Sequence, residues 1–152
     1  MSPRAAWRLE ATGFGPVYDY MEGKADWLAA DPPFEGTAQL AGMFTGRGVA
    51  TVAEGTPAAE ALGLLEAQGF GPVLVVNEAG VVMGAAYREG LAAAPGEAGV
   101  GTVMPFGVST VRPSEDAAEL AHRMGQRQVT RVVVTRSDGT LIGLFFAEDM
   151  PA

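Results

Sequence analysis

The chain has 152 residues and a formal net charge of −8 at pH 7, and 48% of its residues are hydrophobic. This length and apolar content predict one compact domain, or two small subdomains that share a core. The absence of cysteine excludes disulfides, thiolate metal sites and cysteine nucleophiles. No apolar run approaches the roughly 20 residues of a membrane span, and the N-terminus has no signal-peptide pattern, so we expect a cytoplasmic protein without membrane contact.

The negative charge also disfavours nucleic acid as a partner, because the phosphate backbone would be repelled. The nearest basic cluster is spread over a predicted helix and strand, and we interpret its members as surface residues: Arg123, Arg127, Arg131 and Arg136. The single histidine, His122, has no metal-ligating neighbours in its predicted helix, so we expect no metal site. No nucleophile with a nearby base is evident, and we expect no catalytic residues.

Residues 1–40 precede the regular part of the chain and form a separate extension. Their apolar spacing predicts a helix around Ala5, Ala6 and Leu9, then a strand at 17–20 and a helical turn at 25–30. We expect this extension to pack on the rest of the chain through its large aromatic side chains, Trp7, Tyr18, Tyr20 and Trp27.

From Val49 onward the chain repeats itself at a constant spacing of 59 residues, so that 49–91 aligns with 108–150 without a gap. Identical residues at equivalent positions include both turn glycines, Gly80 and Gly139. Self-similarity of this kind identifies the building unit. Two copies are too few for an open solenoid, and they predict a pair that buries its apolar faces about a pseudo-two-fold axis.

Each copy predicts the order β-α-β-β-α. In the first helix of each copy, apolar residues recur at i, i+3, i+4 and i+7: Ala58, Ala61, Leu62 and Leu65, then Ala117, Leu120, Ala121 and Met124. Thr56 before Pro57 predicts the N-cap of the first helix, and Ser114 the start of the second. The strands are predicted at 49–52, 73–76 and 81–86, and at 108–111, 132–135 and 140–145.

Short helices are predicted near 88–92 and 147–150, and apolar lead-ins precede the copies at Ala41 and Phe44 and at Val100 and Met104. We divide the chain into an extension at 1–40, a first motif at 41–94 and a second motif at 95–152. The predicted fold class is α+β, with two β-α-β-β-α motifs packed sheet to sheet and a helix–strand–helix extension.

The motifs Gly71-Pro72-Val73-Leu74-Val75, Gly139-Thr140-Leu141-Ile142-Gly143 and Glu148-Asp149, in this order within tandem units, resemble CBS (cystathionine β-synthase) domains over about residues 41–150. This resemblance implies two clefts between the copies, and assembly of the pairs into dimers. It also implies that an adenosine-containing ligand in a cleft regulates an attached or partner protein.

The resemblance further implies ligand contacts near the last helix of each copy. Asp149 can accept hydrogen bonds from a ribose diol, although a carboxylate there also suits a helix N-terminus. Phe146 replaces the hydroxyl that would meet phosphate, and Tyr87 replaces it in copy one, where it either stacks on a base or fills the cleft. We therefore predict a ligand in the cleft of copy two that contacts Thr110, Asp149 and the backbone of Thr130, Arg131 and Val132.

Phe146 and the negative net charge disfavour a polyphosphate, so we expect an adenosyl ligand with little phosphate, preferably neutral or cationic. AMP, S-adenosylmethionine or a similar compound is the candidate. Two functions remain open: a regulatory module, expected as a homodimer, that acts on a partner in trans, or a dimerisation scaffold whose clefts are filled by Tyr87 and Phe146. Residues 1–40 also resemble the last helix–strand–helix of a rhodanese, through Gly13-Phe14, Val17-Tyr18 and Trp27. Sulfur transfer is excluded because it needs a cysteine thiolate.

Overall fold

The computed structural model describes residues 3–18, 20, 23, 27, 30, 33, 39–46, 48–105 and 107–150. Within them, the α-helices are α1 (Pro3–Ala11), α2 (Ala58–Gln68), α3 (Arg88–Ala93) and α4 (Ala117–Gln126). The strands are β1 (Thr45–Gly46), β2 (Thr51–Val52), β3 (Val73–Val76), β4 (Val82–Ala86), β5 (Thr110–Val111), β6 (Arg131–Thr135) and β7 (Leu141–Phe146). Short 3₁₀ helices lie at Ala41–Phe44, Val100–Thr102 and Ala147–Asp149.

Each repeat builds its own sheet from a parallel strand pair followed by a hairpin. In copy one, β2 is parallel to β3 and β3 is antiparallel to β4; β5, β6 and β7 repeat this arrangement in copy two. The predicted β-α-β-β-α order is confirmed, but each opening strand has two residues instead of four. The last helix of copy two is a 3₁₀ turn.

The apolar stripes of the two long helices are confirmed, because Ala58, Leu65 and Met124 are among their buried residues. Both predicted helix starts were wrong. Pro57, at φ −59° and ψ 138°, is not helical and itself occupies the N-cap position, where its side chain offers no acceptor. In α4 the N-cap is Asp116, whose carboxylate accepts a hydrogen bond of 2.9 Å from the Glu119 N–H.

The two hairpin turns use the predicted glycines, with φ of 77° at Gly80 and 90° at Gly139. A side chain stabilises each turn from within, as short polar residues do in such positions. Asn77 Oδ1 accepts from the N–H of Val81 at 3.0 Å. Asp138 Oδ1 accepts from the N–H of Thr140 at 2.8 Å, and this hydrogen bond lowers the pKa of Asp138.

The two hairpins meet at the pseudo-two-fold axis. Val81 and Thr140, which are equivalent residues of the two copies, form an antiparallel bridge with each other. The Val82 N–H donates to the Gly139 carbonyl at 3.1 Å, and the Leu141 N–H donates to the Gly80 carbonyl at 3.0 Å. Beneath this bridge, equivalent residues of the two sheets form one buried cluster, termed the central cluster: Leu74, Ala85, Val133 and Leu144. The predicted face-to-face packing is confirmed.

The lead-in of each repeat packs on the other repeat. Ala41, which precedes copy one, is buried with Phe145 of copy two, and its N–H donates to the Glu115 carbonyl at 2.8 Å. Val100, which precedes copy two, is buried in the core beneath α2, and its N–H donates to the Thr56 carbonyl at 2.9 Å. The predicted boundary at residue 95 therefore separates the two repeats in the sequence. In the structure, however, each repeat's core includes the lead-in segment of the other repeat.

The N-terminal extension is less integrated than expected. Helix α1 is confirmed, but Val17, Tyr18 and Tyr20 lie outside any strand, and Asp19 lies outside the described residues. Most of the predicted helical turn at 25–30 also falls outside them. The expectation that the aromatic residues pack on the repeats is wrong for Trp7 and Tyr18, which are 69% and 81% exposed. Of the helices that the structure describes, none has the length and apolar character to cross a membrane.

Among the described glycines, Gly143 has the closest neighbouring backbone. A Cβ at this position would lie 2.2 Å from the Gly46 carbonyl oxygen on the neighbouring strand β1. Because backbone must move to relieve such a clash, we expect Gly143→Ala to lower the free energy of unfolding by about 1–3 kcal/mol or more. Urea denaturation followed by circular dichroism measures this change.

Gly63 provides the matched control, because it lies in the exposed interior of α2 and a Cβ there would meet no atom within 4 Å. Gly63→Ala is expected to raise the free energy of unfolding by about 0.5–1 kcal/mol, since alanine is the better helix former. Equal effects of the two substitutions would contradict the close strand contact at Gly143.

Candidate functional site

A cavity of about 590 Å³, termed the central cavity, lies between the two repeats. Copy two contributes the start of β6 at Thr130, Arg131 and Val132, together with the segment 107–109. Copy one contributes Tyr87 from the end of its own hairpin. The structure therefore brings together four of the predicted site residues, and they come from both repeats.

The chain turns sharply just before β6, in the wall of the central cavity. Helix α4 ends at Gln126, and Gln128 then turns the chain with a φ of 55°, in the left-handed region. The equivalent residue in copy one is Gly69, with a φ of 74°, for which this conformation carries no side-chain penalty. A non-glycine residue with such a φ is uncommon, and here it lies in the wall of the central cavity.

Arg131 carries the charge of the central cavity. Its side chain crosses to copy one and packs over Gly71, where a Cβ would lie 3.0 Å from Nη1. Among the described residues, no carboxylate lies within salt-bridge distance of Arg131, and no acidic residue lines the cavity. The expected preference for a neutral or cationic ligand therefore does not match the local charge, which is positive.

A neighbouring cavity of about 350 Å³ continues from the central cavity toward copy one, and it shares Pro72, Tyr87 and Arg131 with it. Tyr87 is 48% exposed and forms part of the wall of both spaces. The hypothesis that Tyr87 fills a cleft is thus not supported by its position.

The repeat-equivalent residue, Phe146, behaves differently. Its ring centroid lies 5.7 Å from that of Phe70, with the planes at 78°, and its side chain packs on the central cluster. Phe70 is itself equivalent to Val129, which lines the central cavity. The residues equivalent to Val129 and Tyr87, which line the central cavity, are thus two aromatic rings in contact with each other.

Two predicted residues lie elsewhere. Thr110 lines a third cavity, of about 370 Å³, beside α4. Asp149 is exposed on the 3₁₀ turn after β7 and lines none of these three cavities. Thr110 shares its cavity with Val132 at the start of β6, but not with Thr130 or Arg131, and Asp149 joins none of these residues in the three cavities. The predicted grouping is therefore observed only for Thr110 and Val132, because the end of each hairpin, at Tyr87 and Phe146, faces the other repeat.

Sequence reasoning also missed Pro72 and the segment 107–109 as cavity residues. The Gly71-Pro72 motif was visible in the sequence, but only the crossed arrangement of the repeats places it beside Arg131. No group of three or more histidine, aspartate or glutamate side chains that could hold a metal ion occurs in the described part of the chain.

The family model for the CBS domain matches residues 41–95 and 100–150, so the chain belongs to the CBS domain family. Pairs of these domains are regulatory modules and not catalysts. No curated protein sequence matches the chain significantly.

Solved structures share the fold. The cytosolic domain of the Mg²⁺ channel MgtE in complex with ATP is 26% identical with a TM-score of 0.64, over 72% of this chain and 46% of that one. This chain therefore spans about half of the MgtE domain. A putative acetoin utilization protein (AcuB) from Vibrio cholerae is 21% identical with a TM-score of 0.66, over 74% and 87% of the two chains.

A third structure is the CBS domain pair of protein MJ0100 in complex with 5′-methylthioadenosine and S-adenosyl-L-methionine. It is 19% identical with a TM-score of 0.61, over 74% of this chain and 93% of that one. At this identity the likeness concerns the fold alone.

The asymmetry between Phe146 and Tyr87 can be measured as stability. Phe146→Ala would remove a ring that contacts Phe70 and the central cluster, and we expect a loss of up to about 3 kcal/mol in unfolding free energy. Tyr87→Ala, at the equivalent exposed position, is expected to change it by only about 0.5 kcal/mol. Thermal and urea denaturation of both variants test this, and similar losses would show that the aromatic pair does not stabilise the interface.

Proposed function

We propose that the chain is a regulatory module that binds one adenosine-containing ligand in the central cavity. The observation that carries this proposal is a space of about 590 Å³ between the repeats, with Arg131 in its wall. The volume is within the range of small-molecule sites. Related domain pairs are solved with ATP, 5′-methylthioadenosine and S-adenosyl-L-methionine.

The walls suit different parts of such a ligand. Tyr87 offers an aromatic face to a base, and Val132 and Leu144 add apolar area. Arg131 offers a planar guanidinium to an anionic group such as a phosphate. We therefore favour AMP, or another ligand with a negative group, over the cationic S-adenosylmethionine.

The proposed stoichiometry is one ligand per chain. At the equivalent place across the two-fold axis, the rings of Phe70 and Phe146 contact each other, and Phe70 also lines the neighbouring cavity of about 350 Å³. Phe146 was predicted as a ligand contact, and we now propose that it closes its cleft. Asp149 and Thr110 are not part of this proposed site.

The ligand would touch both repeats, through Tyr87 of copy one and Thr130–Val132 of copy two. It can then favour one arrangement of the two repeats over another, which is the requirement for regulation.

We propose that the chain is a cytoplasmic homodimer and acts on a protein partner in trans. Sedimentation velocity would contradict the dimer if a single monomeric species persisted at micromolar concentration. The rhodanese resemblance of residues 1–40 stays a prediction.

A second function, a ligand-free dimerisation scaffold, is favoured by one observation, the contact between the rings of Phe70 and Phe146. The scaffold function also requires that the central cavity bind no adenosine-containing ligand. The measurement that separates the two functions is therefore a search for adenosine ligands.

AMP is expected to stabilise the full chain against heat. At one hundred times its Kd, a ligand that binds only the native state adds about 2.7 kcal/mol, a shift of several degrees in Tm. Adenosine is expected to bind more weakly than AMP, because it lacks a group for Arg131. If none of AMP, ATP, 5′-methylthioadenosine and S-adenosylmethionine shifts the Tm at millimolar concentration, the scaffold function replaces the regulatory one.

Arg131→Ala tests the site itself. It is expected to weaken AMP binding by about tenfold or more while leaving adenosine almost unaffected, since a hydrogen bond to a charged group contributes about 1.5–3 kcal/mol. Asp149→Ala is the matched control and is expected to leave both affinities unchanged. Loss of AMP binding in Asp149→Ala alone would place the ligand on the opposite side of the pair.

A further inference from the structure

The third cavity, termed the α4 cavity, adjoins the space in which we place the adenosine ligand and shares Ser109, Val129 and Val132 with it. It has a volume of about 370 Å³ and lies between the end of α4 and the starts of β5 and β6. Its floor is apolar, with buried Leu120 and Met124. Its rim carries the hydroxyl residues Ser109 and Thr110 and the guanidinium of Arg127.

At the same location in copy one, a single side chain, Gln68, bridges three backbone groups. Its Oε1 accepts a hydrogen bond from the Ala50 N–H, and its Nε2 donates to the carbonyls of Phe70 and Pro72. One amide thus joins the segment before β2 to the segment before β3. The join is possible because a glutamine side chain carries both an acceptor and donors.

Copy two has Arg127 at the position equivalent to Gln68, and Ser109 at that of Ala50. A guanidinium carries five donors and no acceptor, so it cannot accept from the Ser109 N–H as Gln68 accepts from Ala50. Within the described part of the chain, the side chain of Arg127 has no hydrogen-bond or ion-pair partner. The replacement leaves a cavity in which no side chain takes the place of Gln68 as an acceptor for the Ser109 N–H.

The two arginines that line the α4 cavity differ in their partners. Arg123 also lines the α4 cavity, but it is paired with Glu115, and its Nη1 lies 3.7 Å from Glu119 Oε1. Arg127 is thus the cation at this rim that is available to a ligand. No acidic residue is part of the lining.

We propose that the α4 cavity binds a small organic carboxylate with an apolar body. The carboxylate supplies the acceptors that copy two lacks, toward Arg127 and the Ser109 N–H. The apolar body covers Leu120, Met124 and Val132. This site goes beyond the proposed adenosine function, because its ligand class, its cation and most of its lining differ from those of the central cavity.

Hexanoate, with hexanol as the neutral analogue, is the probe for this site. In titrations of the ¹⁵N-labelled full chain, hexanoate is expected to shift the amide resonances of Ser109, Thr110 and Arg127. Hexanol is expected to bind about tenfold more weakly or worse, because it lacks the charge that Arg127 recognises. Equal binding of the two probes, no binding of hexanoate, or shifts confined to Tyr87 and Gly107 in the central cavity would each overturn the proposal.

Arg127→Gln recreates the residue of copy one and is expected to close the α4 cavity. Hexanoate binding should then fall by about tenfold or more, and the Tm without ligand should rise as the new amide joins the two segments. Arg127→Lys keeps the charge and is expected to retain binding within a few-fold. Unchanged hexanoate affinity in Arg127→Gln would show that Arg127 does not hold the carboxylate. AMP binding in the central cavity, measured in parallel, should be the same in all three proteins.

Discussion

The antiparallel bridge between Val81 and Thr140 is the contact on which the rest of the molecule depends. One face of each sheet is covered by helices, and the other must be buried against a second layer. Pairing the hairpin tips at a two-fold axis buries the uncovered faces of both sheets against each other, since it places Leu74 and Val133 in the same cluster. It also fixes where clefts form, because each hairpin then ends beside the opposite repeat.

The elements that could be predicted from the sequence are those set by local patterns. The spacing of apolar residues determines a helix, and a glycine at positive φ, such as Gly80 or Gly139, determines a turn. Both patterns depend only on residues that are close in sequence. The exchange of the lead-ins and the crossing of Tyr87 to Arg131 are contacts distant in sequence, and no local pattern specifies them. The sequence therefore singled out Tyr87 and Arg131, which line one cavity, but it also grouped Asp149 with them, and Asp149 does not line that cavity. The two helix starts failed for local reasons: Pro57 stays extended, and Asp116 instead of Ser114 caps α4.

Side chains break the symmetry that the backbone keeps. Across the two-fold axis, Phe146 corresponds to Tyr87, Phe70 to Val129, and Gln68 to Arg127. In each pair one member contacts another ring or joins segments, and the other lines a cavity. A duplicated fold permits this division, since the packed positions stabilise the interface while the open ones are available to ligands.

The charge of the whole chain is a poor guide to its clefts. Surface charges are screened beyond about 10 Å at 0.1 M salt, so the nearest guanidinium dominates the potential inside a cavity. Arg131 lies against Gly71 of the other repeat. An anionic ligand that draws the guanidinium toward itself would weaken the contact between Arg131 and Gly71. A ligand without a negative charge would leave that contact unchanged. The position of one arginine thus links the charge of a ligand to the packing between the two repeats, which total charge and composition do not describe.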